Sequence, residues 1–144
     1  MNQDNIHFFS EDIVFDIEAP ERISNWIKAV IEAENRSLAH INFIFCSDEY
    51  LYQINQEYLN HDTYTDVITF PYASQPIEGD VFISIERIRE NAVNYKVDFS
   101  EELHRVMVHG TLHLLNYLDK SPEEKAQMTQ LENKYLQQLA LKEN

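Results

Sequence analysis

The chain has 144 residues, 44% of them apolar and 12% aromatic, which suits one ordinary domain with a buried core. No run approaches the roughly 20 apolar residues of a membrane span, and the first ten residues lack a charged flank and an apolar stretch, so the expectation is a cytoplasmic protein. A formal net charge of −14 argues against broad, non-specific nucleic-acid binding, because counterion release needs a dense Lys/Arg surface.

Residues 6–9 and 13–15 are short apolar runs, readable as one or two opening strands. Pro20, at a first helical position, begins a pattern in which Ile23, Trp26, Ile27, Val30 and Ile31 share one face, which predicts a helix to about residue 35. Residues 39–46, rich in Ile and Phe, predict a buried strand. It ends on Cys46, the sole cysteine, which has no disulfide partner and is expected to pack as a small hydrophobe. Ser47 then caps a helix carrying Leu51, Ile54 and Tyr58. Residues 66–72 (DVITFPY) and 79–85 (GDVFISI) predict an antiparallel strand pair joined by the turn-forming segment 73–78. Ser84 can cap a helix over 85–95, and Ser100, followed by Glu101 and Glu102, caps another whose acidic first turn suits the helix dipole. Ser121-Pro122-Glu123-Glu124 is a capping box with proline at the first position, opening a last helix to about residue 141. No repeat, low-complexity tract or linker interrupts the chain. The expected fold is a single α+β domain over residues 1–144, with one small mixed sheet of about four strands covered by about five helices.

The chemistry concentrates at the end of a central helix. His109 and His113, four apart, lie about 40° from one another around a helix axis and one turn apart along it, so both imidazoles can reach one ion. Such a pair is weak by itself. Asn116, three residues after His113, can take the left-handed conformation that ends a helix. The chain then turns back and brings Asp119 to the same face. Two neutral nitrogens and one anionic oxygen suit zinc, with nickel, iron and manganese also open, and three protein ligands leave the free position of a catalytic site. Gly110 costs a helix roughly 1 kcal/mol relative to alanine; either close helix-to-strand packing or approach by another backbone or a substrate would account for it. The same glycine stands where the zinc proteases carry a glutamate base. Water at this metal must then be deprotonated by another group or by its own lowered pKa.

The run His109-Gly110-Thr111-Leu112-His113-Leu114-Leu115-Asn116-Tyr117-Leu118-Asp119 resembles the signature HGxLHLxGYDH of the YbeY endoribonucleases. Ile54, Asn55, Tyr58 and Asp62, then Thr65-Asp66-Val67-Ile68-Thr69-Phe70-Pro71, resemble that family's second motif, and Gly79-Asp80 a third. Together these motifs cover about half of the chain, in the family's order. The resemblance implies a cytoplasmic bacterial metalloprotein with a four-stranded mixed sheet and three metal-holding side chains. It also implies action on single-stranded regions of ribosomal RNA, in small-subunit RNA maturation and ribosome quality control. Three departures from the pattern bear on the chemistry. Asp119 replaces a histidine, adding negative charge at the ion and weakening it as a Lewis acid; Asn116 replaces a glycine; Leu59 replaces an arginine thought to engage RNA phosphate. His61, two residues on, can supply a cation when protonated, and Arg105, Arg87 and Arg89 are further candidate phosphate contacts, Arg105 being one helical turn before His109. Residues 80–120 carry five basic and seven acidic residues, so the acidity concentrates away from this segment.

The leading expectation is metal-dependent hydrolysis of RNA phosphodiesters. Two other readings stay open: a non-catalytic ribosome-assembly or RNA-binding factor with a structural metal, and a metal hydrolase of peptides or small molecules.

Overall fold

The computed structural model describes residues 5–60 and 64–141. At its centre is β2 (Leu38–Cys46), in which Ile41, Phe43, Ile44, Phe45 and Cys46 are all buried. A strand covered on both faces reads as a near-continuous apolar run and needs a neighbour along each edge. β1 (Ile6–Ser10) pairs with one edge and β4 (Ile77–Ser84) with the other, both in parallel. β3 (Val67–Ser74) runs antiparallel along β4, giving a four-stranded mixed sheet in the order β1-β2-β4-β3. With five helices among the described residues, this is the α+β architecture that the sequence predicts.

Side-chain alternation divides the two faces of the sheet. Ile41, Phe43, Phe45, Val81 and Ile83 join the main core, together with Trp26 and Ile27 of α1 (Pro20–Ala33), Met107 and Val108 of α4 (Phe99–Leu114) and Tyr135 of α5 (Pro122–Leu141). Residues of the opposite parity, Cys46 and Ile68, form a smaller cluster with Leu51 of α2 (Asp48–Leu59), against which Phe82 packs. Burial is the main cause that pushes the Cys46 thiol up to about 12, so this residue packs as a small hydrophobe. α3 (Ile85–Tyr95) begins where β4 ends, and Ser84 caps it by accepting a hydrogen bond from the Arg87 amide. Ser47 does the same for α2, through the amide of Tyr50.

Three boundaries differ from expectation. Residues 13–15 form no strand; Ile13, Phe15 and Ile17 instead drop against the main core, with Phe15 edge-on to Phe45 at 5.0 Å and to Phe99 at 5.9 Å. Alternation puts every second side chain inward whether or not the backbone finds a strand to pair with. The turn between β3 and β4 shrinks from 73–78 to Gln75 and Pro76. Ala73 and Ser74, the β3 residues assigned to the turn, are exposed along the sheet edge and carry no apolar period to reveal them as strand. α4 opens at Phe99 after Asp98, leaving Ser100 inside the first turn rather than at the cap. Both residue types favour caps, and Phe99, packed beneath Phe15, fixes the register.

Both glycines of the chain lie where α4 crosses the sheet. A Cβ on Gly110 would stand 2.8 Å from Val81 Cγ1, and one on Gly79 would stand 2.9 Å from the Phe70 carbonyl oxygen and 2.7 Å from Leu114 Cδ2. Close helix-to-strand packing therefore accounts for Gly110. Gly79→Ala is expected to cost about 2 kcal/mol, since a carbonyl cannot swing aside as a side-chain tip can. Gly110→Ala is expected to cost less, because alanine returns about 1 kcal/mol of helix propensity. Urea midpoints of the two variants check that order.

Candidate metal centre

The last two turns of α4 place His109 and His113 on one face, their rings 4.6 Å apart and nearly perpendicular at 82°. Their Nε2 atoms stand 3.0 Å from each other. α4 then ends in a Schellman motif: Asn116 takes φ 77°, its amide donates to the His113 carbonyl, and the Tyr117 amide donates to the Leu112 carbonyl. The reversed chain delivers Asp119, whose Oδ2 lies 3.2 Å from His109 Nε2 and 3.3 Å from His113 Nε2. Three side chains named from the sequence thus converge on one point. The returning loop is clamped from outside, because Tyr117 Oη donates to Glu34 Oε1 at 2.6 Å while Tyr135 Oη donates to the other oxygen of the same carboxylate. Just beyond, the capping box forms as expected: the Glu124 amide donates to Ser121 Oγ at 3.1 Å, and Glu124 Oε1 accepts from the Ser121 amide at 2.9 Å.

The far nitrogens decide what the near ones can do. His113 Nδ1 lies 2.9 Å from the Tyr117 carbonyl oxygen and His109 Nδ1 lies 2.6 Å from Glu132 Oε2. Each partner is an acceptor, so each Nδ1 carries a proton and each Nε2 turns a lone pair inward. With both rings neutral, two lone pairs and a carboxylate oxygen facing one another repel unless a cation sits among them, either a proton on His109 Nε2 or a metal ion. Donors about 2.0–2.2 Å from one tetrahedral ion stand roughly 3.3–3.5 Å from each other, near the separations found here. The donor set therefore fits a divalent transition metal.

Burial works to lower the pKa of His109, but the hydrogen bond and charge of Glu132, then the charges of Asp119 and Asp66, outweigh it, and the net shift is upward. A group whose folded pKa is raised adds stability that is complete below its unfolded value, about 6.5, and is lost as pH rises through the folded value. The metal-free protein is expected to lose stability in that direction. With zinc, which binds only the neutral imidazole, stability should instead rise across the same range. Urea midpoints at about pH 6 and about pH 8, with and without zinc, read out both signs.

Two open clefts meet at the cluster. One, of about 650 Å³, is walled by Asp66, Tyr95, Arg105, Lys125 and Glu132; the other, of about 470 Å³, by Asn55, Leu59, Tyr64 and Thr69; His109 and Asp119 line both. A larger cavity of about 720 Å³, lined by Phe15, Arg22 and His104, contains none of the three clustered residues. Arg105 is taken up by Glu132 at 2.9 Å and Asn133 at 2.8 Å. Arg87 is paired with Asp48 at 2.6 Å and Glu90 at 2.8 Å, and Arg89 lies over the Phe99 ring. His61 falls outside the described residues, and Leu59 sits on the rim of the smaller cleft.

Two acidic residues escaped the sequence reading as members of this site. Glu132 holds His109, and its signal is positional: it falls on the buried stripe of α5 with Met128, Tyr135 and Leu139, where a carboxylate is out of place unless it is paired. Asp66 lies where the two clefts join, accepts a hydrogen bond from Asn91 at 3.2 Å, and has its carboxyl held above the ordinary range chiefly by burial.

Comparison with known proteins gives a concordant result. The family model described as Endoribonuclease YbeY matches residues 6–140. A protein of that description from Amoebophilus asiaticus is 49% identical over 138 residues, covering 94% of each chain. One from Flavobacterium psychrophilum is 50% identical over 137 residues, covering 94% of this chain and 98% of its own. The solution structure of a Thermotoga maritima protein superposes with a TM-score of 0.66 at 24% identity, covering 93% of this chain and 88% of the other; it shares the fold.

Proposed function

The chain belongs to the YbeY endoribonuclease family, and from that premise we propose that His109, His113 and Asp119 hold one divalent metal ion with which it hydrolyses RNA phosphodiester bonds. The observation that carries the reading is the meeting of three donor atoms, 3.0 to 3.3 Å apart, at the junction of two open clefts. Two imidazoles and a carboxylate suit zinc first, and nickel, iron or manganese after it. When bound, such an ion supplies Lewis acidity toward a phosphoryl oxygen and toward water.

The side chains do the rest. His109 and His113 are pre-set by Glu132 and by the Tyr117 carbonyl to offer Nε2, and Asp119 contributes the one formal negative charge of the ligand set. Asp66, lining both clefts with a raised carboxyl pKa, is the group best placed to accept a proton from water beside the cluster. The reading extends to single-stranded ribosomal RNA as substrate, hence to small-subunit RNA maturation and quality control in the cytoplasm. A net charge of −14 and an apolar Leu59 on the cleft rim give a weak grip on duplex phosphates. Tyr64, stacked on Tyr52 at 4.4 Å, offers an aromatic wall instead.

Elemental analysis joined to a cleavage assay tests this. About one metal ion per chain is expected, with cleavage of single-stranded RNA lost on chelation and restored by zinc, and duplex RNA left intact. A chelated protein that melts at a lower temperature while neither form cleaves RNA would point instead to a structural metal in an RNA-binding factor.

A further inference from the structure

A row of side chains leads from the surface of α5 into the cluster. Glu132, only 6% exposed, lies on a helical stripe otherwise made of Met128, Tyr135 and Leu139. Its Oε2 is 2.6 Å from His109 Nδ1 and its Oε1 2.9 Å from Arg105 Nη1, while Arg105 Nη2 donates to Asn133 Oδ1 at 2.8 Å. A carboxylate so deeply placed is costly unless both oxygens are engaged, and both are.

We propose that Glu132 is the positioning residue of the metal centre, holding His109 in the tautomer and at the ring angle that direct Nε2 toward His113 and Asp119, with Arg105 fixing Glu132 in turn. This rests on the metal-binding reading given above. An ionised carboxylate only accepts hydrogen bonds, so Nδ1 donates and the lone pair is confined to Nε2. Histidine χ2 is otherwise a soft torsion, and a free ring would present either nitrogen at a range of angles. The negative partner also makes Nε2 the stronger donor to a cation. His113 gets its orientation from a backbone carbonyl, which no side-chain substitution removes. Of the two ligand imidazoles, His109 is therefore the one whose alignment depends on a replaceable side chain.

Glutamine discriminates between positioning and mere filling of space. It matches glutamate in shape but has one accepting oxygen and one donating NH₂. With its oxygen toward His109, the NH₂ meets the Arg105 guanidinium, donor against donor. With its oxygen toward Arg105, the NH₂ faces Nδ1, which must then accept, and the ring proton moves to Nε2, the atom the metal needs.

Zinc affinity of the purified, metal-free full chain, measured by competition with a chromophoric chelator, is expected to be about 10–100-fold weaker for Glu132→Gln than for wild type. Far-UV circular dichroism should be unchanged. Long-range ¹H–¹⁵N spectra of the metal-free protein at alkaline pH should show the His109 proton on Nδ1 in wild type and on Nε2 in the variant. Equal zinc affinity in a folded Glu132→Gln, with only a lower melting temperature, overturns the proposal and leaves the metal reading standing. Failure of the wild type to bind zinc overturns both. The wild-type spectrum decides even if the variant does not fold, since a proton on His109 Nε2 contradicts the proposed role.

Discussion

His113→Ala is expected to empty the metal centre and to lower RNA cleavage by about a thousandfold or more. The lost ion is worth several kcal/mol of transition-state stabilisation, and each ~1.4 kcal/mol is a factor of ten in rate. Two donors remain, but one of them, His109 Nε2, then has only Asp119 Oδ2 beside it at 3.2 Å, too few to retain zinc against water. The fold should survive. His113 is a quarter exposed, its flanking residues Leu112 and Leu114 keep their places in the core, and the bond lost to the Tyr117 carbonyl is worth about 1 kcal/mol. Alanine is also the better helix former. Elemental analysis, a cleavage assay and a thermal melt of one preparation separate lost chemistry from lost structure. Cleavage at the wild-type rate by the metal-free variant would end the metal-dependent reading.

Trp26→Ala should have the largest effect on stability, about 3–5 kcal/mol. Set against the roughly 5–15 kcal/mol that holds a typical domain together, that loss leaves a substantial unfolded population on mild warming. The indole of Trp26 is fully buried, meets the His104 ring edge-on at 5.9 Å, and donates from Nε1 to the Tyr135 carbonyl at 2.8 Å. It therefore ties α1 to α5, the helix that carries Glu132. Trp26→Phe keeps most of the apolar area but not the donor and should cost about 1–2 kcal/mol. Trp26 is the chain's only tryptophan, so urea unfolding must be followed by far-UV circular dichroism rather than indole fluorescence. A cost for the alanine variant below about 1 kcal/mol would show that α5 is held elsewhere.

Features legible in the sequence share one property: their chemistry is local. The apolar face of α1, the serine caps of α2 and α3, the capping box before α5 and the left-handed Asn116 each depend on residues within a turn or two of one another, and all are present. The same holds for His109, His113 and Asp119, which a helical turn and one chain reversal suffice to join. Features that could not be read need a partner distant in the chain. Glu132 acquires meaning only when α5 lies across α4, and Gly110 only when Val81 lies beneath it. Arg105 looked available to phosphate because Glu132 and Asn133, 27 and 28 residues further on, could not be placed beside it. The apolar run at residues 13–15 marked the packing of Ile13 and Phe15 against the core correctly and backbone pairing wrongly, since apolar side chains record what turns inward and not what the backbone pairs with.

Strand order carries a consequence for how the chain assembles. β3 and β4 are neighbours in sequence and in the sheet, so that hairpin can zip up from its two-residue turn, whereas β1 with β2 and β2 with β4 are parallel pairs that must each close a long loop first. Local hairpin formation followed by slower docking onto β2 is the route this topology favours. The proposed ligand triad lies on α4 and the loop after it, elements that rest on the early hairpin, so the histidine pair can be in place before the N-terminal strand has found its edge.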